Sequence, residues 1–160
     1  MLRTSTQKAK IGVSTKRAWG FVSRRENVGQ WFLGKSECRL DDKPAKGDFK
    51  VGDIVVQDNP AGLVNPMQVI YTVHSMDAGN SIAFRSEKTR FMSFTQLVVK
   101  LNDNESGCEV EFSVWNEPAN NIGRIFIHPM SKTMMFITNL LPLAVNSPPR
   151  KLRNALEKRS

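Results

Sequence analysis

Apolar and polar positions alternate through most of residues 54–114, the period-two signature of strands with one covered face. The alternating runs are Ile54-Val55-Val56, Val69 to His74, Ile82 to Arg85, Leu97 to Leu101 and Val110 to Val114. Between them lie clusters of turn formers: Asp58-Asn59-Pro60-Ala61-Gly62, Asp77-Ala78-Gly79-Asn80 and Asn102 to Gly107. Strands joined by such turns predict an antiparallel meander across residues 36–114. Ahead of it, Ala9, Ile11 and Val13 stand against Lys8, Lys10 and Gly12, which predicts an opening strand over residues 4–13. Ser14 is then placed to cap a helix carrying Ala18, Trp19 and Val22 at helical spacing. A second short helical turn is predicted over residues 26–32, with Trp31 and Phe32 near its end and Gly34 stopping it.

After Pro118 the period becomes helical. Ser131 can cap a segment in which Met134, Met135, Phe136, Ile137, Leu140 and Leu141 are apolar nearly all round, the pattern of a buried helix. Pro142 should kink or end it. Ser147-Pro148-Pro149 reads as a fresh helix start, with Leu152, Ala155 and Leu156 on one face of residues 150–158. The meander is expected to be antiparallel and to wrap the apolar helix, because alternating strands need a covered face and that helix must be buried. Trp19 and Trp31 are both expected to be mostly buried, anchoring the early helices on the sheet.

Strand phase then selects candidate ligand-lining residues. Tyr71 shares a face with Val69 and Val73, Phe84 with Ile82, Leu97 and Val99 with Leu101, and Phe112 with Val110 and Val114. Tyr71, Phe84, Leu97, Val99 and Phe112 can therefore face one helix, where Ile137 meets them. These six are the expected walls of an apolar cavity, with Tyr71 its polar anchor. The same side chains, with Trp31, Phe32 and Phe94, would equally fill that space as a packed core.

At 160 residues the chain is expected to form one domain over residues 1–160. Its 40% hydrophobic and 24% charged content is ordinary globular composition. Cys38 and Cys108 are the only cysteines, with no CxxC spacing, and read as reduced half-buried thiols. The first residues carry no apolar signal-peptide stretch. The greasiest run, residues 130–145, is interrupted by Lys132, Thr138, Asn139 and Pro142. A cytoplasmic location is the default expectation. The net charge of +8 is uneven: +7 over residues 1–50, −5 over 51–118 and +6 over 119–160. Such polarity suits an acidic partner, and solvated helix faces account for it as well.

Several stretches resemble the START/SRPBCC superfamily, the polyketide cyclase-like group with the helix-grip fold. Val13 to Val22 is similar to its opening, where a strand meets a small-residue cap and a helix bearing Val-Trp. Glu26 to Phe32 resembles the following stretch, an Asn several residues before Trp-Phe. Val51-Gly52-Asp53 resembles the Val-Gly-Thr that enters its third strand. Glu105 to Val110 resembles its Gly-Gly-Thr-x-Val hairpin, with Cys108 in place of the usual Thr, and residues 152–157 resemble its closing Leu-x-x-Leu-Glu. The motifs occur in family order over nearly the whole chain. The resemblance implies an α+β fold: a curved antiparallel sheet wrapped around a long C-terminal helix, with two short helices after the first strand. It also implies binding or transport of a small hydrophobic molecule, lipid, sterol-like or aromatic polyketide-like, between sheet and helix.

Candidate chemistry is sparse. His74 and His128 are the only histidines, and no HExxH, P-loop or G-x-S-x-G occurs. No metal, cofactor or catalytic residue is assigned. His74 reads as a partly exposed strand residue, and Arg85, out of phase with Ile82 and Phe84, as solvent-exposed. Two other readings stand beside hydrophobic-ligand binding. One is a cyclase or dehydratase in which a Tyr, His, Arg or carboxylate moves protons. The other is a protein- or ribosome-interaction module, or a nucleic-acid binder, using the basic face; stacking by Trp19 or Trp31 is disfavoured by their helical positions.

Overall fold

The computed structural model describes residues 1–33, 35–41, 43–59, 67–88, 92–122, 124, 125, 129 and 147–158. The chain begins with β1 (Leu2–Ile11) and α1 (Thr15–Val22), then a 3-10 turn (Arg25–Asn27) running into α2 (Val28–Trp31). Seven strands follow: β2 (Lys35–Leu40), β3 (Lys43–Pro44), β4 (Ile54–Asn59), β5 (Met67–Asp77), β6 (Ser81–Ser86), β7 (Met92–Asn104) and β8 (Gly107–Pro118). The C-terminal helix α3 spans Pro148–Glu157. All eight strands belong to one antiparallel sheet in the order β1-β8-β7-β6-β5-β4-β2-β3. The meander is antiparallel as expected, and β1 joins it by pairing with β8, over a hundred residues away in sequence.

Local chemistry accounts for the early elements. The Ser14 hydroxyl accepts from the Arg17 N–H at 3.3 Å, satisfying one of the donors that a helix N-terminus leaves over. In α1, Ala18, Phe21 and Val22 are buried at spacing i, i+3, i+4, a single core-facing stripe. Trp19 departs from expectation: it is half-buried, because it stands about 100° round the helix from Ala18 and reaches the core from the flank. Trp31 is buried as expected, at 1% exposure. Gly29 lets α2 lie close on β2, since a Cβ there would fall 2.7 Å from the Ser36 carbonyl oxygen. Gly107, at φ +138°, turns the β7–β8 hairpin where a side chain would collide with the Ile11 carbonyl.

Irregular register in β1, β5 and β7 introduces bulges that bend the sheet. The bulge in β5 falls between Val73 and Ser75 and leaves His74 exposed. Pro148 and Pro149 open α3, where missing N–H groups cost nothing, and Leu152 and Leu156 are buried against α2, β1 and β8. The apolar helix expected around residues 134–141, with Ile137, and the break at Pro142 lie outside the described residues.

Candidate functional site

The register assembles the inner face of the sheet rung by rung. Val73 pairs with Phe84, Phe84 with Leu97, and Leu97 with Val114. The neighbouring rung runs Met76, Ile82, Val99, Phe112. Tyr71 lies two residues from Val73 on the same face and pairs with Val55 of β4. Five of the six predicted lining residues are thus brought onto one face by four strands. Tyr71, Phe84, Leu97, Val99 and Phe112 are 0–5% exposed and belong to a single hydrophobic cluster. Ile137 lies outside the described residues.

Aromatic rings from outside the meander close over this face. Phe32 meets Tyr71 edge-on with ring centres 5.4 Å apart and Phe84 at 4.9 Å. Trp31 packs at 5.5 Å from Phe32 and 6.0 Å from Phe84. Phe49 meets Phe84 at 5.7 Å; its backbone N–H donates to the Ser23 carbonyl at 2.7 Å, which fastens its loop to the end of α1. Edge-to-face geometry of this kind lets the positive rim of one ring meet the negative face of the next. Phe49 escaped the sequence reading because it stands alone in a polar stretch. Phe94, expected among these rings, is half-buried on the other side of the sheet.

There Phe94 lies 4.2 Å beneath the Arg85 guanidinium, whose Nη2 also donates to Gln96 Oε1 at 3.0 Å. Arg85 faces away from the core as its phase requires, but it is half-buried rather than solvent-exposed, since Gln96 and Phe94 of the adjacent strand close around it. Its Nε is buried with no hydrogen-bond partner among the described residues.

Two polar groups lie within the aromatic cluster. Burial pushes the Tyr71 hydroxyl up to about 12 from its usual 10.0. The Trp31 indole Nε1 is buried and has no acceptor among the described residues. The sole tyrosine was singled out from the sequence for its phase; the Trp31 N–H was not, because nothing in a sequence tells which buried donor will lack a partner. Lys151 of α3 also reaches this region: its Nζ donates to the Phe32 carbonyl at 3.3 Å, and partial burial lowers its pKa.

The geometry beneath α2 is held by an ion pair. Arg25 is bidentate to Asp53, at 2.6 Å from Nε and 3.0 Å from Nη2, and donates through Nη1 to the Lys46 carbonyl at 3.0 Å. Asp53 also accepts from the Lys50 N–H at 2.7 Å. Hydrogen bonding to Asp53 raises the Arg25 pKa despite burial. Beside it, the Glu26 carboxylate accepts from the Gly47 N–H at 2.8 Å and pairs with Arg24; hydrogen bonds from the backbone N–H groups of Glu26 itself and Gly47, with Arg24 beside them, hold its pKa below the usual range. The clamp is turned toward backbone groups of the residue 46–53 loop. Burial pushes the Cys38 thiol up to about 11 and raises that of Cys108 also.

Openings on the surface lie elsewhere. A groove of about 540 Å³ between α1, the 3-10 turn and α3 is lined by Arg17, Gly20, Phe21, Arg24, Asn27 and Leu156. A second, of about 390 Å³, lies on the outer sheet face among Arg39, Ile54, Val56, Gln68, Ile70 and Glu87. Neither is lined by the predicted site residues. No helix of the described residues is long and apolar enough to cross a membrane.

No protein-family model matches the chain, and no curated protein matches it by sequence. Solved structures do match in shape. A START superfamily protein from Mycobacterium smegmatis superposes with a TM-score of 0.63 at 13% identity, covering 99% of this chain and 99% of its own. Ara h 8.0201 gives 0.57 at 9% identity, covering 96% of this chain and 97% of its own. DynU16, from the dynemicin biosynthetic locus, gives 0.56 at 13% identity, with 97% of this chain matched to 47% of that one. The order of elements, the single curved antiparallel sheet and these superpositions agree: the chain has a START-like helix-grip fold.

Proposed function

We propose that the protein binds or carries a small hydrophobic molecule between the inner face of the sheet and its C-terminal segment. Tyr71, Phe84, Leu97, Val99, Phe112 and Ile137 form the walls. The observation that carries this reading is the Tyr71 ring, 5% exposed and edge-on to Phe32, which sets one hydroxyl within an otherwise apolar aromatic cluster. A hydroxyl in apolar surroundings is stabilised by a hydrogen bond, and a bound molecule can supply one. The similarity to a START superfamily protein supports the same reading at the level of fold.

Titration with the neutral fluorescent probe N-phenyl-naphthylamine tests it. Saturable binding to the wild type is expected, weakened about tenfold or more by Phe112→Trp, whose extra volume enters the site. No saturable binding, or binding indifferent to that substitution in a folded variant, would mean that the side chains fill the space as core. Native mass spectrometry of freshly purified protein is expected to show a co-purified small molecule.

A further inference from the structure

The buried indole of Trp31 carries chemistry beyond a hydrophobic wall. Its Nε1–H is a donor with no acceptor function of its own, so only an acceptor can satisfy it. Among the described residues it finds none, although Trp31 is 1% exposed and water cannot serve it from the surface. Buried donors in folded proteins are nearly always paired, and an orphan calls for an unseen partner. Its ring neighbours, Phe32 and Phe84, offer no oxygen or nitrogen acceptor from their side chains. Both also border the Tyr71 side of the cluster: Phe32 touches Tyr71, and Phe84 is paired across the sheet with Val73, two residues along the same strand. The orphan donor therefore belongs to the same aromatic cluster as the proposed binding surface.

We infer that the ligand carries a hydrogen-bond acceptor, a carbonyl or ether oxygen set on an otherwise apolar skeleton, and that this oxygen accepts from Trp31 Nε1. The inference rests on the binding reading above and narrows it: a pure hydrocarbon would leave the donor orphaned, whereas an acceptor-bearing molecule satisfies it. Trp31 lies at the end of α2, whose preceding turn is fixed by the Arg25–Asp53 clamp, so the donor is held in place before any ligand arrives. Selectivity of this kind arises because a site built to hydrogen-bond one oxygen is penalised by the analogue that lacks it.

Two near-isosteric probes separate the possibilities: acetylnaphthalene, with a carbonyl oxygen, and isopropenylnaphthalene, with a methylene in its place. Each is competed against N-phenyl-naphthylamine on the wild type, Trp31→Phe and Tyr71→Phe. The wild type is expected to prefer acetylnaphthalene by about tenfold, the range of one neutral hydrogen bond plus relief of an orphan donor. Trp31→Phe should reduce that preference to about twofold or less while still binding the hydrocarbon; Tyr71→Phe should retain most of it. In the wild type, the Trp31 indole N–H proton resonance, assigned with Trp19→Phe and Trp115→Phe, should move downfield with acetylnaphthalene only. This readout holds even if Trp31→Phe fails to fold. Equal affinity for both probes, or a preference that survives in Trp31→Phe, overturns this inference and leaves the binding reading standing. Absence of competition by either probe on the wild type overturns the binding reading and this inference with it.

Discussion

Replacing Asp53 with Asn tests whether the clamp under α2 is a true buried ion pair. The substitution keeps size and one acceptor oxygen but removes the charge facing Arg25. Arg25 and Asp53 are 12% and 9% exposed, and four hydrogen bonds of 2.6–3.0 Å converge on them. An exposed pair of this type contributes about 0–1 kcal/mol, whereas removing one partner of a buried pair costs about 3–5 kcal/mol because the other charge is left without compensation. The low exposure places Asp53→Asn near about 3 kcal/mol. For a chain of this size that is a fall in Tm of about 6–12 °C, from about 2–4 °C per kcal/mol. Urea unfolding followed by far-ultraviolet circular dichroism should show the midpoint drop with little change in m. Arg25→Met and the double variant complete a cycle whose coupling should exceed about 1.5 kcal/mol. Lys8→Met serves as the control: Lys8 also bonds a carboxylate, Glu109 at 2.9 Å, but is 52% exposed, and should change stability far less than Asp53→Asn. An Asp53→Asn effect no larger than the Lys8→Met effect would refute the reasoning. Because the 3-10 turn leads directly into α2, the same variant should also weaken probe binding.

Further expectations follow from burial and backbone geometry. Tyr71 is the only tyrosine, so tyrosinate ultraviolet absorption reports it alone; it should titrate near 12 in the folded protein rather than near 10.0. Its raised folded-state pKa means the associated stability is intact below about pH 10 and lost as pH rises toward 12; a midpoint near 10 in still-folded protein would contradict its burial. Phe84→Ala should cost about 3–5 kcal/mol in chemical denaturation, since Phe84 is fully buried and touches Trp31, Phe32 and Phe49. Gly107→Ala should lower Tm by several degrees, about 1–3 kcal/mol, because it places a side chain at φ +138° against the Ile11 carbonyl; an unchanged melt would show that the hairpin can rearrange.

The hydrophobic pattern alone determined much of this molecule. Strand phase is a local property, so Tyr71, Phe84, Leu97, Val99 and Phe112 could be assigned to covered faces from alternation, and the register bears that out by setting them side by side. Ser14 as a cap and Pro148-Pro149 as a helix start were legible for the same reason: the chemistry that places them acts within one turn of helix. What alternation could not reveal depends on distant partners. The pairing of β1 with β8 follows from closing the sheet, and Phe49 joins the aromatic cluster only because its loop is fastened to Ser23. Arg25 and Asp53 read as two ordinary surface charges until folding removes them from water together. Phe94 and Arg85 have their setting from the bulge in β7 and the strand beside it, which no periodicity encodes. The orphan Trp31 N–H belongs to the tertiary structure entirely. Burial can be guessed from an apolar helix position, but the lack of an acceptor among the described residues is a property of the groups that folding packs around the ring.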